Sequence, residues 1–400
     1  MTQRYFNLAL LAGEAVEVEQ PLWAEDTRFF LAALAELGWR VEERPHSLGL
    51  APGLPPPRAK LWCGEGGTML RFLTAALSTI PGEWVLDGTA RLRQRPMAPL
   101  MAALRRLGAE IESLEEEGFA PLRVTGATLV GGQTPLDAGQ SSQFLSALLM
   151  AATRARKEVV VRVEALTSTP YLDLTLDLLG SCGVSVERRG EQIFRVQPQP
   201  IAAGSWRVEG DYSAAGYPAA AAALTGGRVE ICGVEPESKQ GDRKFLEVLR
   251  AMGARLEWRE EGVVVSGSER LAGLDVDLSC MPDQVPTLAA IAPFAAGTTR
   301  LRNVPHLRLK ESDRLAAMAR ELRRLGGEVE ELEDGLRIEG TWAAAPPPSE
   351  EVVVETYGDH RIAMALTLTG LRRPGVIVAQ PQVVAKSYPA FWSDLERLLG

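Results

Sequence analysis

Cysteine and histidine are scarce in this 400-residue chain, and positive charge is not in excess. The four cysteines, Cys63, Cys182, Cys232 and Cys280, form no CxxC pair and follow no regular spacing. That excludes a disulfide framework or a zinc ribbon and predicts a reduced, cytoplasmic protein. The three histidines, His46, His306 and His360, stand far apart, so no histidine-built metal site is expected. No apolar run reaches the roughly 18 residues of a membrane span. The opening MTQRYFNLALLAGEAVEVEQ has one arginine and a short apolar run soon broken by glutamates, which is not how a signal peptide reads. The formal charge of −9 argues against nucleic acid as the main partner and leaves room for a local basic pocket.

What the chain does have is a repeat. Six times an apolar helical pattern runs out at a glycine, at Gly38, Gly108, Gly183, Gly253, Gly326 and Gly400, in steps of 70 to 75 residues. The first five are followed by WRVEERPHSLGLAP, AEIESLEEEGFAPLRV, VSVERRGEQIFRV, ARLEWREEGVVVSG and GEVEELEDGLRIEG. Each alternates, turns on charged or glycine residues, and alternates again, which predicts a β-hairpin. Every copy also holds a helix apolar nearly all round: FNLALLAG, MLRFLTAALSTIPG, QFLSALLMAATRA, YPAAAAALTGG, TLAAIAPFAAG and IAMALTLTGL. Such helices are expected to be buried. Strands such as EWVLDG, EVVVRVEA, RVEICGV, TRLRNV and GVIVAQ follow them. A repeat of this length decides the fold. It predicts two α/β domains of three units each, at 1–208 and 209–400, with sheets outside and helices inside. A 46% hydrophobic content suffices for two cores.

The chemistry is expected in the polar turns that open the buried helices: CGEGGTMLR, DAGQSSQF, EGDYSAAGY, MPDQVPT and YGDHRIAM. A helix start exposes unpaired N–H groups and the positive end of the dipole, so it attracts anions. Capping by Ser141, Ser142, Asp211 and Asp359 is the simpler account of any single turn. Five aligned turns point instead to a shared anion site in a cleft between the domains. Basic residues recur beside them. Arg91 and Arg95 lie just before a helix expected to start at Pro96, and Arg71 lies in the first turn after Gly66-Gly67-Thr68. Lys310 and Arg314 are four apart and expected on one helix face, while Arg361 and Lys386 lie in DHRIAM and VVAKSYP.

The strings QSSQFLSALLMAA, GTARLRQRP, STPYLDLT, GTTRLRNVPHLRLKESDRLAAMARELRRLGGEVE and TYGDHRIAMA resemble the 3-phosphoshikimate 1-carboxyvinyltransferase (EPSP synthase) family from about residue 4 to the end. The resemblance implies a two-domain inside-out α/β barrel linked by two crossovers and closing on its substrates. It implies transfer of enolpyruvyl from phosphoenolpyruvate to the 5-hydroxyl of shikimate 3-phosphate with release of phosphate, on the route to chorismate and the aromatic amino acids. It implies no metal or organic cofactor, small-molecule substrates only, and a monomer. Carried over by position, Arg4, Ser141, Ser142, Gln143, Ser168, Tyr171, Asp283, His306 and Lys310 match the shikimate 3-phosphate contacts. His306 stands where some members carry Asn. Gly67, Arg95, Gln143, Arg314, Arg361 and Lys386 match the phosphoenolpyruvate pocket. Asp283 is implied to take the proton from the 5-hydroxyl, and Glu311 to handle proton transfer at the methylene carbon, with Lys386 sharing that work.

Two departures stand out. The family's PGSKS-type turn, whose Lys and Ser contact both substrates, has no counterpart, and only Arg4 matches the arginine after it. With no hairpin after Gly400 either, a bare sheet edge is expected in the second domain. Glu65 replaces an Asn of the family's GNAGT-like turn, where a carboxylate repels an anion unless it turns outward or pairs with an arginine. Besides an active transferase, a catalytically impaired relative that binds shikimate 3-phosphate or a similar anion therefore stays open. A different enolpyruvyl transferase, such as the UDP-N-acetylglucosamine enzyme, fits less well, because the segment from Gly82 to Gly108 has no cysteine.

Overall fold

The computed structural model describes residues 1–342 and 350–400. Contacts divide the chain into two compact units, Met1–Val208 and Glu209–Gly400, each with its own apolar core.

In the first unit, the first copy runs α1 (Thr2–Ala12), β1 (Val16–Glu19), α2 (Glu25–Glu36), β2 (Arg40–Glu43) and β3 (Ser47–Ala51). The second runs β4 (Arg58–Trp62), α3 (Gly67–Leu77), β5 (Gly82–Asp87), α4 (Ala98–Arg106), β6 (Glu110–Ser113) and β7 (Leu122–Gly126). The third runs β8 (Gly132–Ala138), α5 (Gln143–Ala152), β9 (Val159–Leu166), α6 (Thr169–Ser181), β10 (Val186–Arg189) and β11 (Ile193–Val196). The unit closes with β12 (Ser205–Arg207), which pairs in parallel with β1.

In the second unit, the fourth copy is α7 (Tyr212–Thr225), β13 (Arg228–Cys232), α8 (Lys244–Ala251), β14 (Arg255–Arg259) and β15 (Gly262–Ser266). The fifth is β16 (Asp275–Asp277), α9 (Val285–Ile291), β17 (Thr298–Arg302), α10 (Arg314–Arg324), β18 (Val329–Glu331) and β19 (Leu336–Glu339). The sixth is β20 (Val352–Val354), α11 (His360–Gly370), β21 (Val376–Val378) and α12 (Phe391–Leu399).

One pairing rule generates the sheets. The strand before an inner helix lies parallel to the strand after it, and that second strand pairs antiparallel with the returning arm of the hairpin. The orders β4-β5-β7-β6, β8-β9-β11-β10 and β16-β17-β19-β18 obey it in full, whereas in β12-β1-β3-β2 the parallel place beside β1 is taken by β12, from the end of the unit rather than from before α1. A parallel pair needs a crossover long enough to hold a helix, and the inner helix supplies it. The inner helices pack on one another, α3 with α1 and α5 in the first unit and α9 with α7 and α11 in the second. Strands alternate buried and exposed residues, as in β13, where Val229 and Ile231 are buried and Arg228, Glu230 and Cys232 are not. Helices are inside and sheets outside, as the repeat predicts. Two sheets of the second unit are shorter: β13-β15-β14 has three strands, with no parallel neighbour for β13 among the described residues, because β12 pairs with β1 instead, and β20-β21 has two. All six repeat glycines have φ between 78° and 118°, so each ends its helix in the left-handed conformation that glycine adopts most readily.

Two local expectations fail. Pro96 does not open α4. Leu92–Gln94 forms a 3-10 turn, Arg95 is extended, and the helix begins at Ala98 with Pro99 in its first turn. An extended Arg95 is usual before a proline, but the non-helical N-cap backbone falls at Met97, with φ −126° and ψ −14°, so the helix begins two residues after Pro96. Lys310 and Arg314 do not share a helix face either. Asp313 has extended backbone and accepts a hydrogen bond from the Ala316 N–H, so α10 starts at Arg314 and leaves Lys310 in the connection before it.

Candidate active-site residues

In the first unit the start of α3 meets Arg95. A Cβ on Gly67 would lie 2.5 Å from the Arg95 guanidinium carbon, so any side chain there displaces the arginine. Arg95 is buried and donates from Nη1 to the Glu65 carbonyl oxygen at 3.3 Å. Gly67 and Arg95, far apart in sequence, are thus brought together.

Arg71, also buried, organises the start of α5. Its Nη1 donates to Ser141 Oγ at 3.1 Å and Gln143 Oε1 at 2.6 Å, and its guanidinium lies 4.8 Å from the Phe144 ring centroid. Gln143 Nε2 donates to Thr68 Oγ1 at 2.8 Å, which fixes the amide orientation. The expected serine caps are only half realised: Ser141 Oγ accepts from the Gln143 N–H at 3.3 Å, and Ser142 makes no side-chain cap. Asp211 and Asp359 do cap, accepting from the Ser213 and Arg361 N–H groups.

Ser168 and Tyr171 lie at the start of α6. Ser168 has φ 53°, a strained value for a residue with a side chain. Arg4 reaches the same place from α1. Its Nε donates to Thr175 Oγ1 at 2.8 Å, an Nη donates to the Tyr171 carbonyl oxygen at 3.0 Å, and the group lies over Phe72. Neither oxygen belongs to a carboxylate, and burial lowers the Arg4 pKa to about 10. It is still a cation at neutral pH, with no ion pair among the described residues, so it contributes uncompensated positive charge.

The second unit gathers charge more densely. Arg314 is the first residue of α10 and is 2% exposed. It donates to three carboxylates: Asp283 at 2.9 Å, Glu311 at 2.9 Å and Asp359 at 2.8 Å. Arg361 donates to the other Asp283 oxygen at 2.9 Å, and Lys386 Nζ to the other Glu311 oxygen at 2.8 Å. Ser312 Oγ donates to Asp359 at 3.0 Å. Burial by itself pushes Asp283 up, but Arg361, Arg314 and Lys310 together hold it well below the usual carboxylate range. Asp359 behaves alike: burial is opposed by Arg314 and the carboxyl ends up lowered. Burial, then Lys310, lowers His306 to about 4, and burial, then Lys386, lowers His360 to about 3. Both imidazoles are neutral at physiological pH.

Asp283, Glu311, Arg314, Arg361 and Lys386, expected from the sequence, therefore form one connected ion network. Lys310 acts on it electrostatically, and the neutral His306 lies within reach of its charges. Missed as network members were Asp359, read only as a cap, and Ser312. The signal for Asp359 was its place two residues before Arg361. No group of three or more His, Cys, Asp or Glu among the described residues is placed to hold a metal ion. No helix there is long and apolar enough to cross a membrane.

Six α/β repeats with guanidinium groups and carboxylates concentrated at the helix starts define a class of two-unit repeat protein equipped to handle anions. Within that class the chain belongs to the EPSP synthase family, whose model, EPSP synthase (3-phosphoshikimate 1-carboxyvinyltransferase), matches residues 1–395. It is 45% identical to a 3-phosphoshikimate 1-carboxyvinyltransferase of Syntrophobacter fumaroxidans, over all of this chain and 94% of that one. It is 38% identical to the one of Trichormus variabilis, with the same coverage. Among solved structures, an EPSP synthase of Acinetobacter baumannii superposes with a TM-score of 0.81 at 29% identity, over 98% of this chain and 93% of that one.

Proposed function

We infer that the chain transfers the enolpyruvyl group of phosphoenolpyruvate to the 5-hydroxyl of shikimate 3-phosphate and releases phosphate, a step towards chorismate and the aromatic amino acids. The observation that carries this reading is the network of Arg314, Arg361 and Lys386 interleaved with Asp283 and Glu311, in a chain 45% identical along its whole length to a protein of that name. Arg95, Arg314, Arg361 and Lys386, with Gly67 and Gln143, take phosphoenolpyruvate. Arg4, Ser141, Ser142, Gln143, Ser168, Tyr171, His306, Lys310 and Asp283 take shikimate 3-phosphate. The oxygen of the 5-hydroxyl attacks C2 of phosphoenolpyruvate as its proton passes to Asp283, and the methylene carbon gains a proton through Glu311 and Lys386. Loss of phosphate and of a methyl proton from the tetrahedral adduct restores the double bond.

Charge explains why Asp283 suits this role only with substrate present. Without an anion its carboxylate is tied to two guanidinium groups and is a weak base. A phosphate or carboxylate arriving on Arg314 and Arg361 compensates those cations, and burial then lifts Asp283 towards the range where it accepts a proton. The arginines act by positioning and by stabilising the departing phosphate. The reaction takes no metal or organic cofactor. The enzyme is monomeric and cytoplasmic and has no nucleic-acid or membrane partner. Its four unpaired thiols and net charge of −9 support that placement.

The test is phosphate release by the purified chain with both substrates and with each alone. Release that requires both is expected. No release from folded protein that still binds shikimate 3-phosphate would overturn the assignment in favour of a binding protein.

A further inference from the structure

Glu321 is charged, yet its side chain is fully buried. It lies on the stripe Arg314, Met318, Glu321, Leu325 of α10 and its cap, all of them buried. A carboxylate out of water is unfavourable unless donors surround it, and here they do. Oε1 accepts from the Tyr357 hydroxyl at 2.6 Å, and Oε2 from Arg324 Nη1 at 2.6 Å and the Glu355 N–H at 3.2 Å. Two of these donors belong to the segment that carries Asp359 and Arg361. Tyr357 has φ 55° and Gly358 φ 68°, two consecutive left-handed residues. That conformation is disfavoured for a residue with a Cβ, so something must hold Tyr357 in it. Just beyond, Asp359 is held by Arg314, and Arg361 reaches Asp283. Segment 355–361 is thus fastened to α10 at two points, Arg314 and Glu321, about 10 Å apart along the helix.

We propose that Glu321, acting through the Tyr357 hydroxyl, is a positioning residue that sets Arg361 for phosphoenolpyruvate. It touches no substrate and holds the strained turn that aims a residue which does. The proposal rests on the reading above that Arg361 binds phosphoenolpyruvate.

The test is Tyr357→Phe in the full chain, which removes one oxygen from a half-exposed side chain, with initial rates measured against both substrates. KM for phosphoenolpyruvate is expected to rise about tenfold or more, as for one lost hydrogen bond to a charged group. The kcat and the KM for shikimate 3-phosphate are expected to stay within about twofold. Glu321→Gln keeps a carbonyl for the Glu355 N–H and an amide that donates to the Tyr357 oxygen, so it should hold that KM within about threefold. Lower kcat at unchanged KM, or equal shifts for both substrates, would show a purely structural role and overturn the proposal. Arg361→Ala separates the two levels. If it raises KM for phosphoenolpyruvate while Tyr357→Phe does not, only the positioning role fails. If it leaves that KM unchanged, the pocket assignment fails and the proposal with it.

Discussion

Gly67 shows how much depends on one missing carbon. Its Cβ position is already filled by the Arg95 guanidinium, 2.5 Å away, so Gly67→Ala must push a buried cation aside. We expect KM for phosphoenolpyruvate to rise roughly tenfold or more, since a displaced charge-assisted contact is worth about 1.5–3 kcal/mol. KM for shikimate 3-phosphate should stay nearly unchanged. Initial rates at varied concentrations of each substrate check this, and an unaltered response to phosphoenolpyruvate would remove Gly67 and Arg95 from that pocket. The glycine and the arginine were both legible as motif residues. Their contact was not, because 28 residues and a strand separate them. Arg71 was less visible still. The sequence marks it as a cation in a helix's first turn, and only packing reveals that it fixes the Gln143 amide and Ser141.

At the scale of elements, the repeat glycines look alike in sequence and differ in consequence. Gly38 and Gly183 both follow outer helices with positive φ. An alanine at Gly183 meets nothing closer than Ala202 at 3.8 Å, whereas at Gly38 its Cβ would lie 2.3 Å from the Leu54 carbonyl oxygen. Gly183→Ala is therefore expected to cost about 1–2 kcal/mol, the left-handed strain alone. Gly38→Ala should cost clearly more, because backbone must also move. Denaturant unfolding of the two variants side by side distinguishes these outcomes, and equal losses would contradict the close approach. The same scale explains the two failed expectations. The N-cap backbone of Met97 and of Asp313 set the two helix starts, one that Pro96 and one that charge spacing had placed elsewhere.

For the whole molecule, the buried titrating histidines fall in one unit. His306 and His360, lowered to about 4 and about 3, lie in the second unit, as do the lowered Asp283 and Asp359. An unfolded chain binds protons at these histidines as pH falls through about 6.5, while the folded one resists until near 4 and 3. Their stabilising contribution is thus complete above about pH 6.5 and declines as pH falls through that window. The aspartates, lowered in the folded state, add a further loss below the usual carboxylate pKa of about 3.8. We expect about 4 kcal/mol less stability at pH 5 than at pH 7.5. Urea unfolding at the two pH values tests this, and coincident midpoints would refute the buried neutral histidines.

The sequence by itself determined the repeat: which segments are inner helices, which are hairpins, where each helix stops, and that cations gather at helix starts. Those are local properties, set by apolar periodicity and by the conformational preferences of glycine and proline, and they act within a few residues. Only the tertiary structure decided who meets whom. It placed three carboxylates on Arg314, buried Glu321 against Tyr357, seated the Arg95 guanidinium in the space left by Gly67, and gave β12 to the sheet of β1. Ion pairs and close packing depend on distances between residues far apart in the chain, and no periodicity encodes those distances.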